Sequence, residues 1–475
     1  MARMMPNLFS PQPWWARASW ALLALIVAYG LFATPSLAMR WGAASEGGLL
    51  VVAWLGACAL AWVAAARRAL VPAVLLLALA GRIVAGWLSS GRVSPGDPHS
   101  YLLLAEHLRA GAGLWIDEPF MGLRVWALYP PAYPLLLAGW TLAFGAGTAS
   151  LLALSGALDL ASAALVASIG RAIGAPLAGR RAGLLLLLWP AAWFDAPLAQ
   201  KESLAILLVL AIARLWLAER PPVVALGAAA GLLALTQPGW APIAGLFGLA
   251  VGWRLGVAGL ARRGGMAAAV AVLVMLPWWL RNAALFGAFV PLTSAGGVSL
   301  WIGNHAGASG VWEPEPPGWR GLPELAYGAR ASAEAKAWII AHPLGFAWLN
   351  FAKLLRATGA GDFALVRLAA MRPPLAGAAA ALWLPLLQGA QLLLWAASLA
   401  AARWRDDAAA RAALLLVAAG FAQLLLFGVW FEFGERHRAF MTPLLMLLVA
   451  VWGSARGAKL GSREAARVAR ELVAA

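Results

Sequence analysis

Apolar stretches long enough to cross a bilayer recur along this chain, and they restrict its fold more than any other feature. The first three lie near 20–39, 48–66 and 70–90, and each approaches the roughly 20 apolar residues that span the hydrocarbon core as a helix. Hydrophobic residues make up 63% of the 475 residues, and charged residues only 12%. Because no soluble core needs that much apolar surface, the sequence predicts an all-α polytopic membrane protein.

Later apolar windows bring the expected total to about 11 to 13 membrane segments. They lie near 131–148, 150–170, 183–198, 200–217, 222–237, 238–254, 266–280, 375–402, 408–430 and 439–453. Strict alternation does not place every arginine cluster on one side of the membrane. We therefore expect a half-span at 131–148 or a broken helix over 183–202, which Pro190 and Pro197 interrupt. Irregular backbone at membrane depth is tolerated where it lines a cavity, so the break is a candidate lining of the active cavity.

The basic residues predict which side of the membrane each loop occupies. The formal net charge is +16, which we attribute to arginines at cytoplasmic helix ends rather than to nucleic-acid binding. Arg3 and Arg17 precede the first window, and Arg67 and Arg68 follow the second. The positive-inside principle then places the N-terminus in the cytoplasm and the loop that begins near Arg92 outside.

Acidic side chains in the first outside loop are the candidate catalytic groups. Asp97 follows Pro95-Gly96 and precedes an amphipathic stretch. A carboxylate there is either a turn or N-cap residue or a general base for a hydroxyl acceptor. Asp117 and Glu118 carry the same ambiguity between a solvated loop acid and a catalytic one.

Basic side chains in the outside loops are candidates for binding a phosphate, because arginine's planar fork matches phosphate oxygens. The candidates are Arg124, Arg281, Arg436, His437 and Arg438. Arg436 and Arg438 are two residues apart, so we expect one to reach the phosphate while the other pairs with Glu432 or Glu435. We slightly favour Arg438 as the phosphate ligand, because it lies nearer the last membrane span.

Other charged residues have simpler interpretations. Arg82 and Asp159 lie inside apolar windows, where ionisable groups are functional candidates by default. Lys201 and Glu202 are expected to pair locally at a helix start. No histidine, cysteine or acid spacing fits a metal site, although a divalent cation held by Asp97 together with a lipid phosphate stays open. No nucleotide-binding motif is present.

The order of these motifs resembles the bacterial GT-C glycosyltransferases. The likeness is to the protein O-mannosyltransferases and the lipid A aminoarabinose transferases. It covers about 80 to 453 and runs through the loop acid, the amphipathic helix, Tyr129-Pro130-Pro131-Ala132-Tyr133-Pro134, Thr236-Gln237-Pro238, Pro277 to Asn282, Gly296-Gly297, Leu300 to Asn304 and Gly434 to Arg438. Two departures stand out: Pro98 occupies the place of a second acid, and Leu128-Tyr129 replaces a lysine before the paired prolines.

The resemblance implies a GT-C type transmembrane helix bundle in the bacterial cytoplasmic (inner) membrane, with a periplasmic active site. It implies transfer of a sugar from a polyprenyl-phosphate carrier, such as undecaprenyl phosphate, to a hydroxyl-bearing glycan, glycolipid or protein, with inversion. Asp97 carries over as the general base. The other candidate contacts are His99, Tyr101, Asp117, Glu118, Tyr129 and Tyr133 in the first loop and Trp301, Asn304 and His305 in the second.

On this reading the chain has five parts. They are an N-terminal end with an extra hairpin at 1–68, a GT-C core at 69–280 with its first outside loop at 91–130, a second outside loop with an interfacial helix at 281–360, C-terminal spans at 361–455, and a cytoplasmic tail at 456–475. Two rival functions stay open. A lipid-linked sugar flippase or transporter predicts paired repeats and charges at mid-membrane, and an O-antigen polymerase or ligase is usually built around one large late outside loop.

Overall fold

The computed structural model describes residues 13–42, 47–89, 94–402 and 407–455. Over these ranges the chain is mostly helical, which confirms the predicted class. The only strands in the described ranges are β1 (Ile116–Glu118) and β2 (Leu123–Val125), which pair antiparallel inside the first loop. Arg3, Arg92 and the predicted tail at 456–475 lie outside the described residues.

Nineteen helices carry the fold in the described part of the chain. Before the first loop they are α1 (Trp14–Trp41), α2 (Gly48–Ala64) and α3 (Val71–Ser89). From the first loop to the second they are α4 (Asp97–Arg109), α5 (Ala132–Phe144), α6 (Thr148–Ala172), α7 (Pro176–Leu187), α8 (Pro190–Asp195), α9 (Glu202–Trp216), α10 (Val223–Ala234), α11 (Ile243–Val251) and α12 (Gly256–Phe286). The rest are α13 (Gly296–Gly303), α14 (Glu324–Ala341), α15 (Pro343–Gly359), α16 (Phe363–Met371), α17 (Pro373–Ala401), α18 (Ala408–Gln423) and α19 (Met441–Ala455).

Among the described residues, six helical segments are long and apolar enough to cross a membrane, and five apolar helices are shorter. The long ones are Trp14–Trp41, Arg68–Ser89, Thr148–Ala172, Trp253–Phe286, Gly377–Ala401 and Ala408–Gly428. The short helix α5 has 13 residues, about 20 Å at the α-helical rise, which is less than the hydrocarbon thickness of about 30 Å. The helix in the window predicted as a half-span, 131–148, is thus shorter than a full crossing, as are the apolar helices Val223–Ala234 and Pro238–Val251, which the sequence predicted as full spans.

The predicted break over 183–202 is confirmed. Helix α7 ends at Leu187, the short α8 follows, and α9 begins only at Glu202. Side chains donate hydrogen bonds to the backbone carbonyl oxygens that lose their helical partners at the break. Arg82 and Trp193 donate to the Leu187 oxygen at 3.0 and 3.1 Å, and Trp54 donates to the Leu188 oxygen at 2.8 Å.

This arrangement gives Arg82 and Asp159 a structural role. Arg82 pairs with Asp159 at 2.7 Å while also bonding the end of α7. Each charge thus has a partner of opposite sign inside the bundle, as buried charges need. Midway along α7, Arg181 donates to the Trp62 carbonyl and to Ser454. The C-terminal ends of α2 and α19 therefore meet beside the middle of α7, at the end of the bundle where α3 begins.

Candidate active site

Asp97 opens α4, and Gly96 before it takes a positive φ of 77° that few other residues adopt. Gly96 is the N-cap residue, and no side chain caps this helix. The N-cap interpretation of Asp97 is therefore wrong. Its carboxylate instead accepts a hydrogen bond from the Arg436 guanidinium, which comes from the loop between α18 and α19.

Arg436 contacts two carboxylates. Besides Asp97, it lies 3.6 Å from the Glu432 carboxylate, and the Asp97 and Arg436 side chains are each 20% exposed. The sequence predicted pairing with Glu432 but not with Asp97, which lies 339 positions away. The structure thus joins the first long loop to the loop before the last helix through one arginine.

Lys201 is a second cation at this site, and the sequence interpretation missed it. It lies in the break between α8 and α9, with its ammonium nitrogen 5.6 Å from the centre of the Tyr101 ring. The sequence has only four lysines against 32 arginines, and this one follows an interrupted apolar window. That rarity was the available signal.

The charges around Asp97 keep it ionised. Burial alone would raise its pKa, but Arg436, and after it Lys201, hold the pKa of Asp97 well below its usual range. A carboxylate with so low a pKa is a weak base while this pairing lasts.

The three tyrosines predicted in the first loop pack against one another. Tyr101 is fully buried and makes edge-to-face contacts with Tyr129 and Tyr133, with ring centroids 5.3 and 5.1 Å apart. They support α4 and Lys201, as such aromatic contacts commonly do in a packed core. His99, one turn into α4, is exposed.

Arg438 and His437 do not share the partners of Arg436. Arg438 is 3% exposed, bonds the Ala357 carbonyl at 2.8 Å and pairs with Glu435 at 3.2 Å. The Nδ1 atom of His437 accepts the Gly434 amide at 2.9 Å. Both residues thus shape the loop, and of the three neighbouring basic residues it is Arg436 that contacts Asp97. We therefore favour Arg436, rather than Arg438, as the candidate phosphate ligand.

The remaining first-loop acids have contrasting environments. Asp117 pairs with Arg124 at 2.9 Å on the open surface, where their side chains are 68% and 48% exposed. Glu118 is buried and accepts only the Phe120 amide, at 3.3 Å, among its described hydrogen bonds. Burial raises the pKa of Glu118, and the charges of Glu315 and Asp97 raise it further. Glu118 is therefore shielded, whereas Asp117 faces water.

Arg281 and Glu324 tie the two outside loops together. Arg281 donates to the Trp126 and Leu114 carbonyls, both at 2.8 Å. Glu324 accepts the Trp126 and Ala127 amides at 2.7 and 2.9 Å. Arg281 is thus occupied by backbone oxygens of the first loop, which leaves it poorly placed for a phosphate.

The second-loop candidates hold the loop that carries Arg436. Asn304 is fully buried and donates to the Trp430 carbonyl at 2.6 Å. Trp301 is buried and stacks on His305 with ring centroids 4.0 Å apart. His305 lies 3.7 Å from Glu313. These residues contact each other and the α18–α19 loop rather than Asp97.

Within the described ranges, no group of three or more histidine, cysteine or acidic residues could hold a metal ion. Arg436 already places a positive charge between the carboxylates of Asp97 and Glu432. The residues around Asp97 therefore do not fit a divalent cation in this arrangement.

A comparison with protein-family models and one with curated proteins give no match. Among solved structures, the chain is similar to the Archaeoglobus fulgidus oligosaccharyltransferase in complex with Zn and sulfate, with TM-score 0.49, 16% identity, and coverage of 85% of this chain and 51% of that one. The same archaeal enzyme, AglB, with an inhibitory peptide and a dolichol-phosphate gives TM-score 0.45 and 14% identity over 82% and 52% of the chains. This chain spans about half the length of those oligosaccharyltransferases.

A third similar structure is ArnT from Cupriavidus metallidurans bound to undecaprenyl phosphate. Its TM-score is 0.36 and its identity 17%, over 81% of this chain and 76% of that one. These neighbours are GT-C glycosyltransferases, the class that the sequence resembles. TM-scores below 0.5 do not by themselves assign this chain to a family, so its function depends on the residues of the site.

Proposed function

We propose that the protein is a GT-C membrane glycosyltransferase that moves a sugar from a polyprenyl-phosphate donor to a hydroxyl acceptor. The observation that carries the proposal is the contact between Asp97 and Arg436, with Lys201 beside them. Asp97 as a carboxylate for the hydroxyl proton, and Arg436 and Lys201 as cations for the phosphate, suit a hydroxyl nucleophile and a phosphate leaving group. The site faces the periplasm of the inner membrane in this proposal, as the positive-inside principle predicts.

The proposed reaction is a single displacement. The acceptor hydroxyl gives its proton to Asp97 while its oxygen bonds to the anomeric carbon of the sugar. The bond between that carbon and the phosphate oxygen breaks on the opposite side, so the configuration inverts and polyprenyl phosphate leaves. Arg436 and Lys201 stabilise the negative charge that develops on the leaving phosphate.

Arg436 then has two partners in succession. Without donor it pairs with Asp97, which keeps that carboxylate a weak base. A donor phosphate that engages Arg436 adds a further negative charge to those of Asp97 and Glu432 beside this arginine, which raises the pKa of Asp97 and strengthens it as a base. Donor binding therefore prepares the base for the acceptor.

Two further features support a lipid-linked donor over the rival functions. Helix α15 presents Leu344 and Trp348, 84% and 69% exposed, as an apolar face of the kind that lies in a membrane interface. The intramembrane charges Arg82 and Asp159 are paired and bonded to the end of α7. Such a closed pair gives no support to a transport path.

The test is to incubate purified protein with a panel of polyprenyl-phosphate sugars and a set of hydroxyl acceptors, and to detect released polyprenyl phosphate. We expect release with at least one donor, and its loss in Asp97→Asn. Asp117→Asn is the matched control, because it removes an equivalent acid from the same loop. Activity in Asp97→Asn equal to that of the wild type, at equal protein levels, would overturn the assignment of the base.

A further inference from the structure

Lys353 is a fully buried lysine that the proposed mechanism does not use. It lies on α15, and its ammonium nitrogen donates to the Gly303 carbonyl at 3.2 Å and to the Phe431 carbonyl at 3.1 Å. Its aliphatic part packs on Gly310, where a Cβ atom would come within 2.3 Å of it. Gly310 also has a positive φ of 82°. The aliphatic part of the lysine therefore occupies space that a side chain at position 310 would fill.

A buried lysine is costly at this position. Burial lowers the pKa of Lys353 to about 7, and the nearby Arg356 lowers it in the same direction. An apolar side chain of similar length would fill the space without desolvating an ammonium group. What only the lysine supplies is a donor that reaches two carbonyl groups from separate segments.

Those two segments meet along several backbone contacts. The Glu432 amide donates to the Ser299 carbonyl at 2.8 Å, and the Phe433 amide donates to the Gly310 carbonyl at 2.9 Å. Gly303 packs so closely on Phe431 that a Cβ atom would lie 2.5 Å from its carbonyl carbon. Lys353 bonds both sides of this junction.

The junction leads directly to the candidate active site. Glu432, the residue after Phe431, lies 3.6 Å from Arg436, and Arg436 contacts Asp97. A shift of the backbone at Phe431 therefore moves Glu432 and with it the position of the guanidinium. Lys353 itself contacts none of the three side chains in the described hydrogen bonds and ion pairs.

We infer that Lys353 is a positioning residue: it fixes the α18–α19 loop against the second outside loop and so sets where Arg436 meets Asp97. The consequence for turnover rests on the proposed function. The fixing of the loop does not depend on the proposed function, so an experiment can test the two separately.

The first measurement is amide hydrogen exchange in Lys353→Met, which keeps the length and apolar packing of the side chain but removes the donor. We expect the segment 430–434 to exchange roughly tenfold faster, the factor for losing a hydrogen bond from a charged group. Lys336→Met is the matched control, since Lys336 is an exposed lysine on α14, and it should leave exchange unchanged. Unaltered exchange in Lys353→Met overturns the inference, whether or not sugar transfer is detected.

The second measurement is a double-mutant cycle on turnover. We expect Lys353→Met to slow transfer roughly tenfold, and to add no further loss in an Arg436→Gln background, because its effect passes through Arg436. Equal losses in both backgrounds would mean a general structural defect and would contradict a role through Arg436. Absence of transfer by the wild type refutes the proposed function alone, and exchange still decides the role of Lys353. If Lys353→Met does not fold, Lys353→Gln, which keeps a neutral donor, replaces it with a smaller expected acceleration of exchange.

Discussion

Two aspartate–arginine pairs in the long loops have the same chemistry and different settings. Asp117 and Arg124 are seven positions apart, lie across a short hairpin, and are both largely exposed. Asp97 and Arg436 come from loops at opposite ends of the sequence and are each 20% exposed, with Lys201 close by. Water and salt screen the first pair. The second pair is largely shielded from solvent, so its charges can alter the pKa of a reacting group.

The difference shows why an acid in a loop is not by itself a catalytic residue. The local sequence around Asp117 supplies its partner, because Arg124 lies opposite it in the same hairpin. Asp97 receives its partner only when the fold brings the α18–α19 loop to α4. A partner supplied by the fold can be exchanged for a ligand, and this is what a donor phosphate needs.

The largest expected effect concerns membrane sidedness, because labelling is all or none. Both aspartate–arginine pairs should lie outside, opposite the end of the bundle that carries Arg181. We expect His99→Cys, in a Cys58→Ala background, to react with a membrane-impermeant maleimide in cells whose outer membrane alone is permeabilised. His99 is exposed, whereas Ser94, a nearer neighbour of the membrane, is 3% exposed and would report poorly.

The control for sidedness is Arg180→Cys, an exposed position next to Arg181 at the other end of the bundle. It should react only after the inner membrane is broken. Protection of His99→Cys under the same conditions as Arg180→Cys would reverse the topology.

The next contrast is between the two aspartates. Asp97→Asn keeps the shape of the side chain and removes the proton acceptor, so we expect turnover to fall about a hundredfold or more, the usual size of a general-base contribution. Asp117→Asn should stay close to the wild type because its partner is an exposed arginine. Rates of polyprenyl phosphate release at equal protein concentration decide between them, and similar losses in both variants would contradict the distinction.

The arginines give a smaller contrast. Arg436→Lys keeps the charge and loses the planar fork, so we expect turnover to fall roughly tenfold and donor affinity to fall less. Arg438→Lys, whose partners are Glu435 and the Ala357 carbonyl, should act mainly on stability. Single-turnover rates and donor affinity measured on both variants check this. A selective loss of turnover in Arg438→Lys instead would restore the earlier preference for Arg438.

The smallest contrast is a change in pH dependence. Lys201 helps to lower the pKa of Asp97, so Lys201→Met should raise that pKa. Because transfer needs the ionised carboxylate in the donor complex, the acidic limb of the kcat profile should move to higher pH in Lys201→Met. An unchanged acidic limb would mean that Lys201 does not act on the catalytic carboxylate.

Sequence patterns predicted the helical membrane fold, the short segment at 131–148 and the break over 183–202, because apolar length and proline act locally. The resemblance supplied Asp97 as the candidate base. Neither indicated that Arg436 contacts Asp97, since that contact joins residues 339 positions apart. Lys201 was interpreted as the partner of Glu202, its neighbour, because the sequence does not show which way a side chain turns inside a break.

The same limit applies to Arg281 and Asn304. Each was a reasonable candidate for binding substrate, and in the fold each bonds backbone carbonyl groups instead. Backbone carbonyls are acceptors that any residue offers, so the sequence contains no trace of such a partner. Where two loops meet, the identity of the partner is a property of the tertiary structure alone.

In the proposed mechanism the donor phosphate binds at Arg436. Equilibrium binding of undecaprenyl phosphate to the purified protein in nanodiscs tests it most directly, with Arg436→Gln and Arg124→Gln measured beside the wild type. We expect Arg436→Gln to weaken binding at least about tenfold, the scale of a charge-assisted hydrogen bond, and Arg124→Gln to bind as the wild type does. Wild-type affinity in Arg436→Gln, or a loss confined to Arg124→Gln, would contradict it.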